Sequence, residues 1–292
     1  MCDQDNFDDI VRYQRRSAVL SRRQFGGLAV GAGLVSLVPA GAYAAETTGA
    51  DVEIKTPDGT CDAYFAHPAK GKHPAVLIWP DIFGLRPAIK QMADRLAGSG
   101  YSVLVINPFY RIQKAPTSPD HPDFNDPATR TKLTGQMGSL SAATAATDAG
   151  AFIPWLDKQA SVDTKKKLGT TGYCMGGPFT FRTAAQFPTR VGAIASFHGA
   201  ALATDKPDSP HLLIAKMKAS GLVCIAANDD KNDPKAKDTL TAAFEAAGLP
   251  HEVEVYTGTL HGWCPPDTAA YNHDAAEKAW GRLLFWFNKS LV

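Results

Sequence analysis

The sequence has few cysteines, almost no excess charge and no long apolar segment, and each shortage excludes a class of protein. Its 292 residues include 30 basic and 29 acidic side chains, a net charge of +1, so no nucleic-acid or anionic-membrane partner is indicated. None of the five cysteines belongs to a C-x-x-C pair, which argues against a zinc ribbon or a thioredoxin-type redox site. The cysteines are Cys2, Cys61, Cys174, Cys224 and Cys264.

The first 45 residues differ in character from the rest of the chain. Residues 21–25 read Ser-Arg-Arg-Gln-Phe, a mild apolar run covers residues 26–38, and Ala-Tyr-Ala follows at 42–44. This order resembles a twin-arginine export signal and predicts cleavage near Ala44. The protein is then expected to be exported by the twin-arginine machinery and to be periplasmic or secreted. The apolar run, about 13 residues long, is shorter than the roughly 20 needed for a membrane anchor. An amphipathic or disordered extension is the alternative.

Residues 46–292 have the pattern of one α/β domain, with 45% hydrophobic and 20% charged residues in the whole chain. Two strand-like segments flank the turn at 57–59 and predict an N-terminal antiparallel hairpin. Short, continuous apolar runs then alternate with segments of helical spacing, as expected of strands buried on both faces. The runs cover residues 75–79, 101–106, 191–197, 222–227 and 253–256, and residues 167–171 form a further strand-like segment. The prediction is one doubly wound α/β domain with a mostly parallel sheet.

Helices are predicted at residues 86–98, 177–186, 234–247 and 268–288, and a long Ala-rich helical segment at 129–159. Pro154 lies inside that segment and predicts an interruption there. Residues 111–128 carry four prolines and no periodicity. They follow a core strand directly, so a pocket loop and a solvated surface loop are equally expected.

The most informative motif is Gly-Tyr-Cys-Met-Gly-Gly at residues 172–177. It matches the nucleophile elbow G-x-S-x-G with Cys174 in place of serine, between a predicted strand and a predicted helix. A cysteine there would be a strong nucleophile once its thiol loses the proton. An ordinary buried cysteine on a glycine-rich turn is the alternative.

A cysteine nucleophile needs a base and an acid that orients it. His261 follows the last predicted strand, which places it at the same edge of the sheet as the elbow, and it is the predicted base. His198 also ends a strand, but we expect it to line the pocket. Asp229 is the predicted acid, with Asp230 as the alternate, because one residue of register cannot be read from sequence. The order Cys174, Asp229, His261 is that of α/β hydrolases.

The negatively charged oxygen formed on attack needs hydrogen-bond donors. The elbow supplies the backbone N–H of Met175, and the loop after the first core strand supplies a second, predicted at Ile82. Ile82 and Phe83 are equally consistent with simple apolar lining.

These motifs together resemble the dienelactone hydrolase (carboxymethylenebutenolidase) family over residues 50–290. The segments that carry the resemblance are 81–85 (Asp-Ile-Phe-Gly-Leu), 107–111 (Asn-Pro-Phe-Tyr-Arg), 172–177, 197–199 (Phe-His-Gly), 227–229 (Ala-Asn-Asp) and 256–263 (Tyr-Thr-Gly-Thr-Leu-His-Gly-Trp). The resemblance implies an α/β-hydrolase fold with a doubly wound, mostly parallel sheet, a Cys–His–Asp triad, backbone donors at Ile82 and Met175, no cofactor, and hydrolysis of lactones or related esters. The residues expected to line a substrate pocket are Phe83, Tyr110, Arg111, His198 and Trp263.

Two positions depart from the best-known members of that family. Asp81 stands where they have a glutamate thought to contact the resting thiol, and it becomes the candidate thiol partner of Cys174. Pro265 stands where they have an arginine that binds a substrate carboxylate; Arg111 could compensate from the other side. Dienelactone itself is therefore not predicted as the substrate.

The leading hypothesis is an exported, cysteine-dependent hydrolase of small lactones or activated esters that forms an acyl-enzyme, without a metal. One alternative is a non-catalytic ligand-binding protein that keeps the hydrolase fold. Another is a thiol-based redox-protective protein, which the lack of a resolving cysteine near Cys174 in sequence disfavours. Turnover that depends on Cys174 would separate the first from both.

Overall fold

The fold was analysed in a computed structural model, which describes residues 46–119, 124 and 126–292. The predicted export signal lies outside the described residues. Within the described ranges, no helix combines the length and apolar character that crossing a bilayer requires.

The described residues contain eight strands, which form a single sheet. The first two, β1 (Thr47–Thr56) and β2 (Gly59–Pro68), make an antiparallel hairpin, and β2 pairs antiparallel with β4. The other neighbours are parallel, and the order across the sheet is β1-β2-β4-β3-β5-β6-β7-β8. The remaining strands are β3 (Ala75–Trp79), β4 (Ser102–Ile106), β5 (Leu168–Tyr173), β6 (Val191–Phe197), β7 (Ser220–Ala226) and β8 (His251–Tyr256).

Helices cover both faces of the sheet. The described helices are α1 (Pro87–Gly98), α2 (Pro127–Met137), α3 (Ala142–Asp157), α4 (Gly177–Gln186), α5 (Pro210–Leu213), α6 (Ala227–Asn232), α7 (Ala236–Ala246) and α8 (His273–Ser290). Leu77 and Trp79 of β3 belong to the core that includes α3, α4 and α7 residues, whereas Val76 and Ile78 belong to the core with α1 and α8. Alternate residues of β3 thus fill two cores, which is why this strand is apolar throughout.

The predicted fold class is confirmed, and one helix prediction is wrong. The segment predicted as one helix with a break near Pro154 is two helices, and Pro154 lies inside α3. The break falls between Met137 and Ala142. There the Ser141 hydroxyl accepts a hydrogen bond from the Thr144 N–H, and the Thr144 hydroxyl accepts from the Ser141 N–H, so a new helix begins.

The order of the strands brings the predicted site together. β5 lies between β3 and β6, and β7 separates β6 from β8. The loops that leave the carboxyl ends of these parallel strands therefore meet at one edge of the sheet, where α/β proteins place their ligands.

Candidate active site

Cys174 is the residue at which β5 turns into the following helices. Its φ is +52°, the left-handed region that a non-glycine residue adopts at a cost of order 1–3 kcal/mol. The turn fits only because its neighbours lack side chains: a Cβ at Gly172 would lie 2.2 Å from the Gly176 carbonyl oxygen. A Cβ at Gly176 would lie 2.1 Å from the Trp79 carbonyl oxygen. The motif therefore forms a strained strand–turn–helix elbow, as predicted.

His261 and Asp229 are in direct contact. The His261 Nδ1 lies 2.9 Å from Asp229 Oδ2 and 3.1 Å from Oδ1. The backbone N–H of His261 donates to Asn228 Oδ1 at 2.8 Å, so two consecutive residues at the start of α6 hold the histidine. A carboxylate at Nδ1 fixes the ring tautomer with the proton on that nitrogen.

Asp230, the alternate acid, points to a different partner. Its Oδ1 accepts a hydrogen bond from Lys237 Nζ at 2.6 Å, an ion pair near the protein surface. Asp229 and Asp230 belong to the short helix α6, in which successive side chains point in different directions. This is why only one of the two acids contacts His261.

The loop after β6 joins the elbow to the histidine. The Ala200 N–H donates to the Cys174 carbonyl oxygen at 3.4 Å. In the same loop, the His198 ring meets the His261 ring edge to face, with centroids 5.1 Å apart. The loops after β5, β6 and β8 therefore pack against one another at the carboxyl edge.

His198 is a fully buried histidine, and its predicted place in the pocket lining stays a prediction. Among the described residues, neither of its ring nitrogens has a hydrogen-bond partner. Burial, and then the nearby His261, lowers the pKa of His198 well below 6.5, so its ring is neutral. Its φ of +40° is a second strained backbone position beside the elbow.

The turn after β3 packs directly on the elbow. Besides the close approach of Gly176 to Trp79, the Gly84 N–H donates to the Asp81 carbonyl oxygen at 3.0 Å and closes the turn. Ile82 is buried in it, and its backbone N–H donates to no other group among the described residues. An N–H in this turn is where the second oxyanion donor was predicted.

Asp81 is held by Arg86, a residue that the sequence analysis missed. The Arg86 guanidinium contacts Asp81 through two hydrogen bonds of 2.6 and 2.9 Å, and Asp267 through two of 2.6 and 3.0 Å. Burial disfavours the charged guanidinium, but both carboxylates outweigh this effect, and the pKa of Arg86 is raised. No local signal could have found this cluster, since Asp267 is 181 residues away in sequence. The predicted contact between Asp81 and the Cys174 thiol stays a prediction.

Three other predicted pocket residues, Tyr110, Arg111 and Trp263, contact different parts of the protein. Arg111 contacts Asp58 and Asp148, and the Tyr110 hydroxyl also donates to Asp148 at 2.7 Å. Arg111 therefore binds the β1–β2 turn and α3, and Tyr110 binds α3 and the Thr56 hydroxyl at the end of β1, 2.7 Å away. Trp263 is fully buried, and its ring stacks on Tyr256 with centroids 4.6 Å apart.

Phe83 is half-buried, and residues of the 111–128 segment cover it. The Ser118 and Thr117 hydroxyls donate to its carbonyl oxygen at 3.0 and 3.3 Å. The Phe124 ring lies edge to face with the Phe83 ring, at 5.8 Å. The described part of this segment thus packs on the site, as a pocket loop does.

The four cysteines of the described residues form no disulfide, and all are buried. Burial raises the pKa of the Cys61, Cys224 and Cys264 thiols, which keeps them protonated at neutral pH. Within the described ranges, no group of three or more histidine, cysteine or acidic side chains is arranged to hold a metal ion.

The comparisons with a family model and with curated proteins agree with each other. The model of the dienelactone hydrolase family matches residues 61–291. A carboxymethylenebutenolidase of Rhodococcus opacus is 27% identical over 82% of this chain and 90% of its own. A protein of Bradyrhizobium sp. named "Probable 2-oxo-3-(5-oxofuran-2-ylidene)propanoate lactonase" is 28% identical over 83% and 95%.

A solved structure shows the same fold. The crystal structure of a "Putative Dienelactone Hydrolase" from Klebsiella pneumoniae subsp. pneumoniae MGH 78578 is 24% identical, with a TM-score of 0.71. The match covers 83% of this chain and 99% of that one. The chain belongs to the dienelactone hydrolase family and is a carboxylic ester or lactone hydrolase.

Proposed function

We propose that this protein hydrolyses small lactones or activated esters through a Cys174–His261–Asp229 triad and an acyl-enzyme intermediate. The observation that carries the proposal is the His261–Asp229 pair, 2.9 Å apart, at the sheet edge where Cys174 occupies a strained elbow. A cysteine in such a turn, with an oriented imidazole in an adjoining loop, has the parts that nucleophilic catalysis requires.

In the proposed reaction, the Cys174 Sγ attacks the substrate carbonyl carbon, and the thiol proton passes to His261 Nε2. The backbone N–H groups of Ile82 and Met175 stabilise the resulting oxyanion. Collapse breaks the ester C–O bond, and the imidazolium protonates the leaving oxygen. His261 then takes a proton from water, whose attack on the thioester releases the acid and the thiol. Asp81 is a weaker candidate for the thiol's proton, because Arg86 contacts both its carboxylate oxygens.

We propose that the acyl group is uncharged. Pro265 stands where a substrate-binding arginine is implied by the resemblance, and Arg86 and Arg111 each lie between two carboxylates. A guanidinium that already donates to two carboxylates has few N–H groups left for a third. The name of the Bradyrhizobium relative supports ring-opening of a lactone as one activity. That lactone is a propanoate and carries a carboxylate, so the charge of the acyl group is where this chain is proposed to differ from that relative.

The test is turnover of p-nitrophenyl acetate and dihydrocoumarin by the parent protein, Cys174→Ala and His261→Ala. Burst kinetics with p-nitrophenyl acetate, and mass spectrometry of an acetylated peptide containing Cys174, would detect the acyl-enzyme. We expect both variants to lose at least about 10³-fold in kcat. No turnover by the parent, or equal turnover by Cys174→Ala, would refute the proposal.

We also propose that residues 1–45 direct export and are removed near Ala44, a proposal that rests on the order Arg22-Arg23, apolar run and Ala-Tyr-Ala. Expression of the full chain in a bacterium with a twin-arginine pathway tests this by N-terminal sequencing of the periplasmic protein. The double variant Arg22→Lys with Arg23→Lys should stay unprocessed. Equal processing of both proteins would contradict the proposal.

A further inference from the structure

Arg86 connects two loops of the candidate site. It lies at the start of α1, directly after the turn at residues 81–85, and it contacts Asp81 within that turn. Its other partner, Asp267, belongs to the loop that follows His261. The guanidinium is only 5% exposed, so both ion pairs are shielded from water.

The same contacts determine the shape of the turn. Asp81 Oδ1 accepts hydrogen bonds from Arg86 Nη1 at 2.6 Å and from the Phe83 N–H at 3.0 Å. Arg86 Nη1 also donates to the Gly84 carbonyl oxygen at 3.3 Å. One guanidinium thus contacts both ends of the turn, with Ile82 between them. Without it, the Asp81 carboxylate would be buried with no cation beside it, although it would keep the hydrogen bond from the Phe83 N–H.

His261, in contrast, has anchors that do not involve Arg86. Asn228 and Asp229 hold its backbone and its ring, and the Thr268 hydroxyl donates to the Gly262 carbonyl oxygen at 2.7 Å. Loss of Arg86 should therefore disturb the turn at 81–85 more than the histidine.

We propose that Arg86 is a positioning residue that holds the turn at residues 81–85, and with it the Ile82 N–H, against the elbow by bridging Asp81 and Asp267. This inference rests on the proposed function, because it concerns the oxyanion donor of that reaction. All three nitrogens of the Arg86 guanidinium donate to protein groups, so the residue positions a donor and does not bind a substrate carboxylate. Displacement of a catalytic group by about 1 Å can reduce the rate about 10²-fold.

The experiment compares Arg86→Met, Arg86→Lys and Asp267→Asn with the parent. Two reactions are measured: turnover of p-nitrophenyl acetate, which needs the oxyanion donors, and alkylation of Cys174 by iodoacetamide, which does not. We expect Arg86→Met to lower kcat about 10²-fold, with small changes in KM and in the alkylation rate. Arg86→Lys keeps the charge but cannot bridge two carboxylates with paired hydrogen bonds, so it should restore only part of kcat. Asp267→Asn should change kcat in the same direction, by less.

Arg190→Met is the matched control. Arg190 also makes two-pronged contacts with a carboxylate, that of Asp157, but it lies at the amino end of β6. It should leave both kcat and alkylation unchanged.

The outcomes separate the possible roles. Unchanged kcat in Arg86→Met overturns the inference. A fall in the alkylation rate as large as the fall in kcat also overturns it, because it would show that the nucleophile or the base has moved. A third comparison uses mono-p-nitrophenyl glutarate and its uncharged methyl ester. Loss confined to the charged ester would make Arg86 a substrate-binding residue and overturn the positioning role.

If Arg86→Met does not fold, as judged by circular dichroism, Arg86→Lys and Asp267→Asn decide by the same ratio of turnover to alkylation. Failure of the proposed function is distinguishable, because it would appear first as turnover by the parent that does not depend on Cys174.

Discussion

Arg86 and Arg190 make similar contacts at opposite edges of the sheet. Arg86 pairs with Asp81 and Asp267 at the carboxyl edge, and its side chain is 5% exposed. Arg190 pairs with Asp157 at the end of α3 and donates to the Lys166 carbonyl oxygen, and it is 16% exposed. One guanidinium joins loops that carry proposed catalytic groups, and the other joins a helix end to the starts of β5 and β6. The same chemistry should therefore affect activity at one edge and only stability at the other.

The largest effect is expected at the acid. Asp229→Asn should lower kcat about 10³- to 10⁴-fold, because an amide at His261 Nδ1 no longer fixes the tautomer. Asp230→Asn is the control, and it should stay within about twofold, since it breaks only a partly exposed pair with Lys237. Steady-state kinetics on p-nitrophenyl acetate measure both. Similar losses in both variants would mean that the carboxyl edge is not organised around Asp229.

The two arginines should also differ in their contribution to folding. Arg86→Met leaves Asp81 buried without its cation and should lower the free energy of unfolding by about 3–5 kcal/mol. Arg190→Met leaves the 32% exposed Asp157 and should cost about 1 kcal/mol or less. Urea titrations followed by circular dichroism give both values. Equal costs would contradict the assignment of a buried bridge to the carboxyl edge alone.

The elbow should be far less tolerant of an added methyl group than the helix that covers the sheet. Gly172→Ala should lower the free energy of unfolding by about 3 kcal/mol, since its Cβ would lie 2.2 Å from the Gly176 carbonyl oxygen. Gly281→Ala, within α8 and with no atom within 4 Å of the added Cβ, should raise it by about 0.5–1 kcal/mol. Thermal melts of both variants provide the measurement. A stable Gly172→Ala protein would argue against the tight turn.

The smallest effect concerns the pH dependence of folding. His198 is neutral in the fold, with its pKa well below 6.5, whereas the unfolded chain binds a proton below about pH 6.5. The unfolded state therefore gains protons as the pH falls, and the parent should lose up to about 1.4 kcal/mol per pH unit below 6.5 from this residue. His198→Phe should show a correspondingly shallower slope between pH 6.5 and 5 in urea titrations. An unchanged slope would show that His198 is protonated in the fold.

Local patterns in the sequence were sufficient for the strands, the hairpin and the elbow. The run at 75–79 is apolar throughout because β3 contributes to both cores. Gly172 is needed because of a contact made within the elbow, with Gly176, whereas Gly176 is needed because the distant Trp79 packs on it. His261 was predicted as the base because it follows the last strand. The prediction that failed was the helix break near Pro154. Proline disfavours a helix interior, but the packing of α3 overrides this preference.

By itself, the sequence determined the order of the elements and the edge of the sheet whose loops carry Cys174, Asp229 and His261, because strand periodicity and most turn residues act over short distances. Only the tertiary structure decided which carboxylate contacts His261, and that Arg86 bridges Asp81 and Asp267. Side-chain direction depends on a rotation of about 100° per helical residue, and an ion pair across 181 residues leaves no local pattern. These contacts arise from packing, which no single stretch of the chain encodes.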